Sequence, residues 1–329
     1  MGFDLIMRLQ TWITIVTGVF TVVFIALVAD KIHWHTVSGL HGGSGQAVVG
    51  ALVLVMTGFG LGWVNVAADY SRYLPRRSSG AGVIGWTTFA SSIAPIFLLG
   101  FGLLLAGSSS SLSTAIGADP IGALATLLPT WFLVPFAIVA VLGLIGGSVL
   151  DIYSSGLAML SLGVRIPRYA AALIDGTVMT LGSIYVVFVA HNFIVQFEGF
   201  LITLGVPIAA WCGVMLADVA LRRRDYAEPE LFSTSGRYGD IRWGPVAAVV
   251  VATGIGWGLV VNTNANWLTW QGYLLSPFGL GGKTGAWEFA NLGVLVALAI
   301  GFVAHLVFGW ASVRAEEAGP LPAPATAGA

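Results

Sequence analysis

Charge is scarce in this chain. Lysine, arginine, aspartate and glutamate make up 9% of its 329 residues, against about 25% in ordinary soluble proteins. That shortage excludes a free-standing water-soluble domain. Lysine is almost missing, with only Lys31 and Lys283. A net charge of -1 and the lack of any basic patch exclude a nucleic-acid surface. There is a single cysteine, Cys212, which excludes an internal disulfide and a cysteine-built metal cluster. No short apolar core ends in a small-residue cleavage site, so no cleavable leader is expected. No acid/histidine cluster has metal-ligand spacing, so neither a metal nor a bound cofactor is expected.

What the chain does have is apolar length. Hydrophobic residues make up 57% of it, and the mean hydropathy is +0.89. The implied class is an all-α polytopic membrane protein. A spanning helix needs roughly 20 mostly apolar residues. About eight segments qualify: 11–29, 47–68, 82–107, 130–150, 169–191, 194–220, 244–262 and 289–313. Residues 121–128 read as a short apolar lead-in stopped by Pro129. Residues 1–313 then form one membrane domain, and 314–329 a disordered cytoplasmic tail, "EEAGPLPAPATAGA" at its end.

Basic residues orient these spans. With the N-terminus cytoplasmic, every arginine falls inside, including Arg72, Arg76, Arg77 and the run Arg222–Arg224, while both lysines fall outside. Eight alternating spans also return the C-terminus to the cytoplasm. The expected location is the plasma membrane, with the bilayer as a partner.

Ionisable groups inside spans are costly and usually face a cavity or a partner. Asp175, His191 and Asp218 lie near predicted interfaces, where a solvated polar group costs little. Glu198 sits beside Phe197 and Phe200. Asp151 differs: it follows Gly146 and Gly147, a pair that permits local unwinding, and precedes Tyr153, Ser154 and Ser155. If the helix runs on to Met159 or Leu160, Asp151 is well inside the bilayer and needs a cation, a proton or a polar ligand. If the helix ends early, it lies in cytoplasmic water.

The second span carries Gly58, Gly60 and Gly62 at its centre and Asp69 beyond. Glycines there either pack helices closely or mark a broken helix that exposes backbone dipoles to a substrate. Phe59 and Trp63, four residues apart, share one helical face that can stack on a planar ligand or face lipid.

The stretch "WVNVAADYSRYLP" resembles the sixth helix of the nucleobase:cation symporter-1 family, the purine–cytosine permeases. "DIYSSGLAML" is similar to that family's helix 8, "NFIVQFEGFLITLGVPIAAWCGVMLADVALRRRDY" to its helix 10 and the following loop, and "LIMRLQTWITIVTGVF" to its entry into helix 5. The resemblance implies helices 5–12 of a twelve-helix inverted-repeat fold of the leucine-transporter type, without the first four helices. It also implies a substrate site at the midplane. Residue by residue, it places substrate binding at Gly58 and Phe59 and at Asp151. The separation from Phe59 to Asp69 is one residue longer than the family pattern, so Gly60 gives an alternative alignment. Asp69 and Arg72 match the close of helix 6, as a cytoplasmic gate or a structural pair. In sodium-using relatives, hydroxyls and carbonyls earlier on helix 8 hold the cation. Here that region is "LIGGS", so Gly147, Ser148 and Asp151 are the cation-coupling candidates, with proton favoured over sodium because Ser148 is the only hydroxyl.

The expected activity is import of nucleobases or related heterocycles, such as cytosine or purines, by cation symport. A different class of reading is a non-transporting remnant, or a subunit that needs a separate first-repeat chain or an oligomer. An enzyme reading rests only on "GGSGQ" near His33, His35 and His41, in a predicted external loop where glycine and serine are ordinary.

Overall fold

The computed structural model describes residues 3–319, apart from Asn65, Arg76, 164–165, 190–192, Phe232, Ser235 and 264–265. Its regular elements among the described residues are helices. First come α1 (Phe3–Val28) and α2 (Trp34–Ser38). α3 (Gly45–Val55) opens on Ser44, whose hydroxyl accepts the Ala47 N–H at 3.2 Å. It continues through a π-helical turn, Met56–Leu61, into α4 (Gly62–Val64), and α5 (Ala67–Ser71) follows. α6 (Gly80–Ser108) and α7 (Ser110–Ala118) are capped by Ser79 and Ser109. α8 (Pro120–Ala125) is capped by Asp119, with proline in its first turn. The long helices α9 (Thr130–Ser161), α10 (Arg168–Phe188) and α11 (Phe193–Leu221) follow. α12 (Glu228–Leu231), α13 (Trp243–Trp257), α14 (Leu292–Phe308) and α15 (Trp310–Ala318) complete the chain.

Among the described residues, six helical runs are long and apolar enough to cross a membrane, or seven if the bent pair α14–α15 is counted as one span. The expected span at 244–262 forms only the 15 residues of α13, about 22 Å at 1.5 Å per residue. It stops because the following loop claims its last carbonyls. Gly272 N–H bonds Trp257 O at 2.9 Å, and Leu274 N–H bonds Gly258 O at 2.8 Å. The expected span at 289–313 begins at Leu292, after Asn291 turns through φ 50°, and bends by 52° at Gly309. Helix α15 then carries residues 314–318, which the sequence reading assigns to a disordered tail. Its Glu316 and Glu317 are held by arginines and by backbone N–H groups of the α11 end. Residues 320–329 and His191 lie outside the described residues.

The chain divides into two compact units, where the sequence reading has a single membrane domain over 1–313. The first joins 1–42 to 68–194. Its core is Val28, Leu105, Leu128 and Phe132, and Phe20 and Phe24 of α1 stack on Phe132 and Phe136 of α9 at 5.9 and 5.7 Å. The second joins 43–67 to 195–329. Its core includes Val53, Leu61, Val206, Ala210, Ala252, Val294 and Ala297. Small residues let its backbones meet. Gly293 of α14 is pressed on the Gly256 carbonyl of α13, so neither position has room for a side chain.

Candidate functional site

In the second unit, the helix-breaking signal at Gly58–Gly62 becomes the π-turn. Thr57, its second residue, is buried, and its hydroxyl donates back to Val53 O at 2.9 Å and lies 3.0 Å from Leu54 O. Such back-bonding loosens a helix locally, and π-turns collect at functional positions. Thr57 and Leu61 face the core, while Phe59 on the opposite side is 54% exposed. A side-chain carbon added at Gly58, Gly60 or Gly62 would touch nothing within 4 Å. These glycines therefore do not pack helices; they leave open backbone beside an aromatic ring.

In the first unit, α5 carries the end of the same motif and is tied to the middle of α9. Arg72 donates to Tyr73 and to Tyr153, each at 3.1 Å, and the two phenol oxygens lie 2.9 Å apart. Tyr70 approaches Ser154 at 3.4 Å. The tyrosine bonds raise the pKa of Arg72 further above its ordinary value. Asp69 has no hydrogen bond or ion pair among the described residues, so Arg72 is partnered by phenols and not by Asp69.

Helix α9 does not unwind at Gly146–Gly147. It stays continuous, and Gly146 packs on α1, where Gln10 Nε2 donates to its carbonyl at 2.6 Å. Gly147 remains open on its outer side, and Ser148 is spent on Leu144 O at 3.0 Å. Because the helix runs to Ser161, Asp151 lies ten residues inside its end. It makes no hydrogen bond or ion pair among the described residues, and a second carboxylate, Asp175 of α10, acts on it electrostatically. Gly58, Phe59 and Gly60 thus belong to one unit, and Asp69, Arg72, Gly147, Ser148 and Asp151 to the other.

These features match one family model, that of the permeases for cytosine/purines, uracil, thiamine and allantoin, over residues 1–276. The chain belongs to this permease family. No curated protein and no solved structure matches it. Membership in a transporter family also bears on the serine motif of this permease. Ser44 is used as the cap of α3, and the His33 backbone N–H and ring are turned toward Ser108.

The sequence reading missed the permease's most charged constellation, in the second unit. Asp218 is buried at 7% exposure instead of being solvated at an interface. It accepts from Arg222 Nε at 2.6 Å, Tyr226 Oη at 2.5 Å and His305 Nε2 at 3.0 Å. Arg222 also donates to Glu316 at 2.7 Å, and Arg242 reaches Glu316 at 3.0 Å and Asp218 at 3.6 Å. Burial pushes the Arg222 pKa down, but its bonds to Asp218 and Glu316 outweigh that and raise it. Burial and the bond to Asp218 likewise raise the Tyr226 phenol. The only local signal was the i, i+4 spacing of Asp218 and Arg222.

Proposed function

We propose that the protein is a secondary active transporter that imports nucleobases or related heterocycles by proton symport, with both termini cytoplasmic in the plasma membrane. The observation that carries the reading is Asp151, an acid unpaired among the described residues and ten residues inside a 32-residue apolar helix. A carboxylate so placed needs a cation, a proton or a polar ligand. Ionised, it accepts from a ring N–H or exocyclic amine; protonated, it also donates. Phe59, exposed on a turn with open backbone, supplies a ring for a planar base. The π-turn takes up one extra residue, which gives a physical account of the longer separation between Phe59 and Asp69. Proton is favoured over sodium because Ser148, the only hydroxyl in the candidate cation region, is already engaged with Leu144 O.

The test is uptake of labelled cytosine and purines by proteoliposomes containing the full chain, under separately imposed proton and sodium gradients. Proton-driven uptake that falls at least tenfold in Asp151→Asn and in Phe59→Ala supports the reading. Strict sodium dependence at fixed pH overturns the proton assignment. Uptake only after a separate first-repeat polypeptide is added assigns the chain to a two-chain transporter.

A further inference from the structure

In the second unit, the two helices that flank residues 258–291 are both short for a membrane. α13 runs from Trp243 to Trp257 and α14 from Leu292 to Phe308. At 1.5 Å per residue they are about 22 and 26 Å long, against a hydrocarbon core of about 30 Å. Charge limits both at one end. Arg242 precedes α13, and α15, with Arg314, Glu316 and Glu317, follows the bend at Gly309. The missing depth lies at the other end, with the connector.

That connector folds back onto α13 instead of rising away from it. Gly272 at φ 78° and Gly279 at φ 70° turn the chain. Three carbonyls at the helix end then take N–H groups from beyond it: Trp257 O from Gly272 at 2.9 Å, Gly258 O from Leu274 at 2.8 Å and Leu259 O from Gly293 at 3.3 Å. Farther along, Phe278 N–H bonds Leu274 O at 3.1 Å and Leu280 N–H bonds Leu275 O at 2.8 Å. Gln271 and Leu275 are fully buried, and the Gln271 amide lies 3.4 Å from the Thr203 hydroxyl of α11. The connector is thus level with the end of α13. Irregular backbone is tolerated at membrane depth where protein meets its polar groups, and this segment bonds much of its backbone to itself and to α13. Its outward side chains are aromatic. Trp267 is 74% exposed, Phe278 61% and Phe289 72%, and Trp270 stacks on Tyr273 at 6.3 Å.

We propose that residues 266–289 form a re-entrant cap that enters the bilayer beside the Trp257 end of α13. Its partner is the lipid itself, with Trp267, Phe278 and Phe289 at the boundary between acyl chains and headgroups. Two observations favour lipid over water. The helices stop about 4–8 Å short of the hydrocarbon thickness, and the cap is level with their ends. Only Lys283 and Glu288 are charged between Gly258 and Asn291, whereas a solvated connector carries charge more freely, as this chain's own 222–242 does. Tryptophan and tyrosine also collect at that boundary. The cap stands independently of what the protein carries.

Nitroxide labels on the full chain in phosphatidylcholine liposomes test it. Trp267→Cys, Phe278→Cys and Phe289→Cys each replace an exposed side chain, and the chain's own Cys212 is buried. Power saturation compares collisions with oxygen, which dissolves in lipid, and with a water-soluble nickel chelate. Asp240→Cys and Val250→Cys, both exposed, give the aqueous and the mid-bilayer reference. The expected oxygen-to-nickel ratio at the three cap positions is at least about threefold above that of Asp240→Cys. A ratio equal to that of Asp240→Cys at two or more of them places the cap in water and overturns the proposal. Labels sheltered from both agents show that a protein surface, a second copy or another chain, covers the cap, and overturn lipid as its partner.

Discussion

Arg222→Met is the substitution with the most to say about the second unit. The side chain of Arg222 is 7% exposed, and so is that of Glu316, while Asp218 is at 9%. Removing the guanidinium takes away two bonds to Asp218, at 2.6 and 3.3 Å, and one to Glu316, at 2.7 Å. Two buried carboxylates then share Arg242, itself 25% exposed. Breaking a buried ion pair from one side costs about 3–5 kcal/mol, mostly from the charge left behind. Solvent screening does little to reduce that here. Asp218→Asn alone should cost a similar amount, since it leaves two guanidiniums, Arg222 and Arg242, to share Glu316. The double variant keeps Arg242 and Glu316 as a balanced pair, so its cost should fall short of the sum by about 2 kcal/mol or more. Equilibrium unfolding in mixed detergent micelles measures all three. A loss below about 1 kcal/mol for Arg222→Met, or costs that add within about 0.5 kcal/mol, refutes the reasoning.

Gly293→Val should destabilise by about 1–3 kcal/mol or more, because the new side chain meets the Gly256 carbonyl and the backbone cannot move aside; a thermal midpoint unchanged from the parent contradicts this. Tyr153→Phe removes bonds to Arg72 and Tyr73 at exposed positions. It should cost less than about 1 kcal/mol yet loosen α5 from α9. A cysteine placed at Ser155, in a chain whose own Cys212 is buried, should then react faster with maleimide. In the connector, Arg237 holds the Glu230 carboxyl below the usual range through side-chain and backbone bonds. A lowered acid contributes stability that is present above its unfolded value and lost as pH falls through the folded one. The connector should therefore loosen in acid, and Arg237→Gln should move the Glu230 titration up toward ordinary glutamate in a carboxyl NMR experiment.

Apolar length placed the long helices because burial in lipid depends on composition over a window, which the sequence carries directly. The glycine cluster marked the weak point of the second span for the same local reason. The ends of helices were harder to read. The side chain that meets Gly146 in α9, Gln10, lies 136 residues away. Whether α13 continues depends on loop amides that bond its last carbonyls. The charged network was least legible of all: Arg222 and Glu316 are 94 positions apart, and Asp218 and His305 are 87 apart. Taken alone, Asp218 reads as an interfacial residue, Arg222 as part of a cytoplasmic loop and Glu316 as part of the tail. Of the candidate site, residue types were readable, but the open space around Gly58 and Gly60 and the lack of partners for Asp151 among the described residues follow only from packing.

The π-turn at Met56–Leu61 gives this protein a way to change without substituting a side chain. Because the turn takes up one extra residue, deleting one there would restore an unbroken α-helix and keep the residues beyond it close to their present faces. The change would fall on the turn itself, where Phe59 and the open backbone at Gly58 and Gly60 lie. On the proposed reading, a single codon lost or gained here alters the ligand-facing backbone while the core contacts of the rest of the unit keep their register. Relatives that differ in length by one residue at this point are, on that reading, the natural place to look for changed substrate choice.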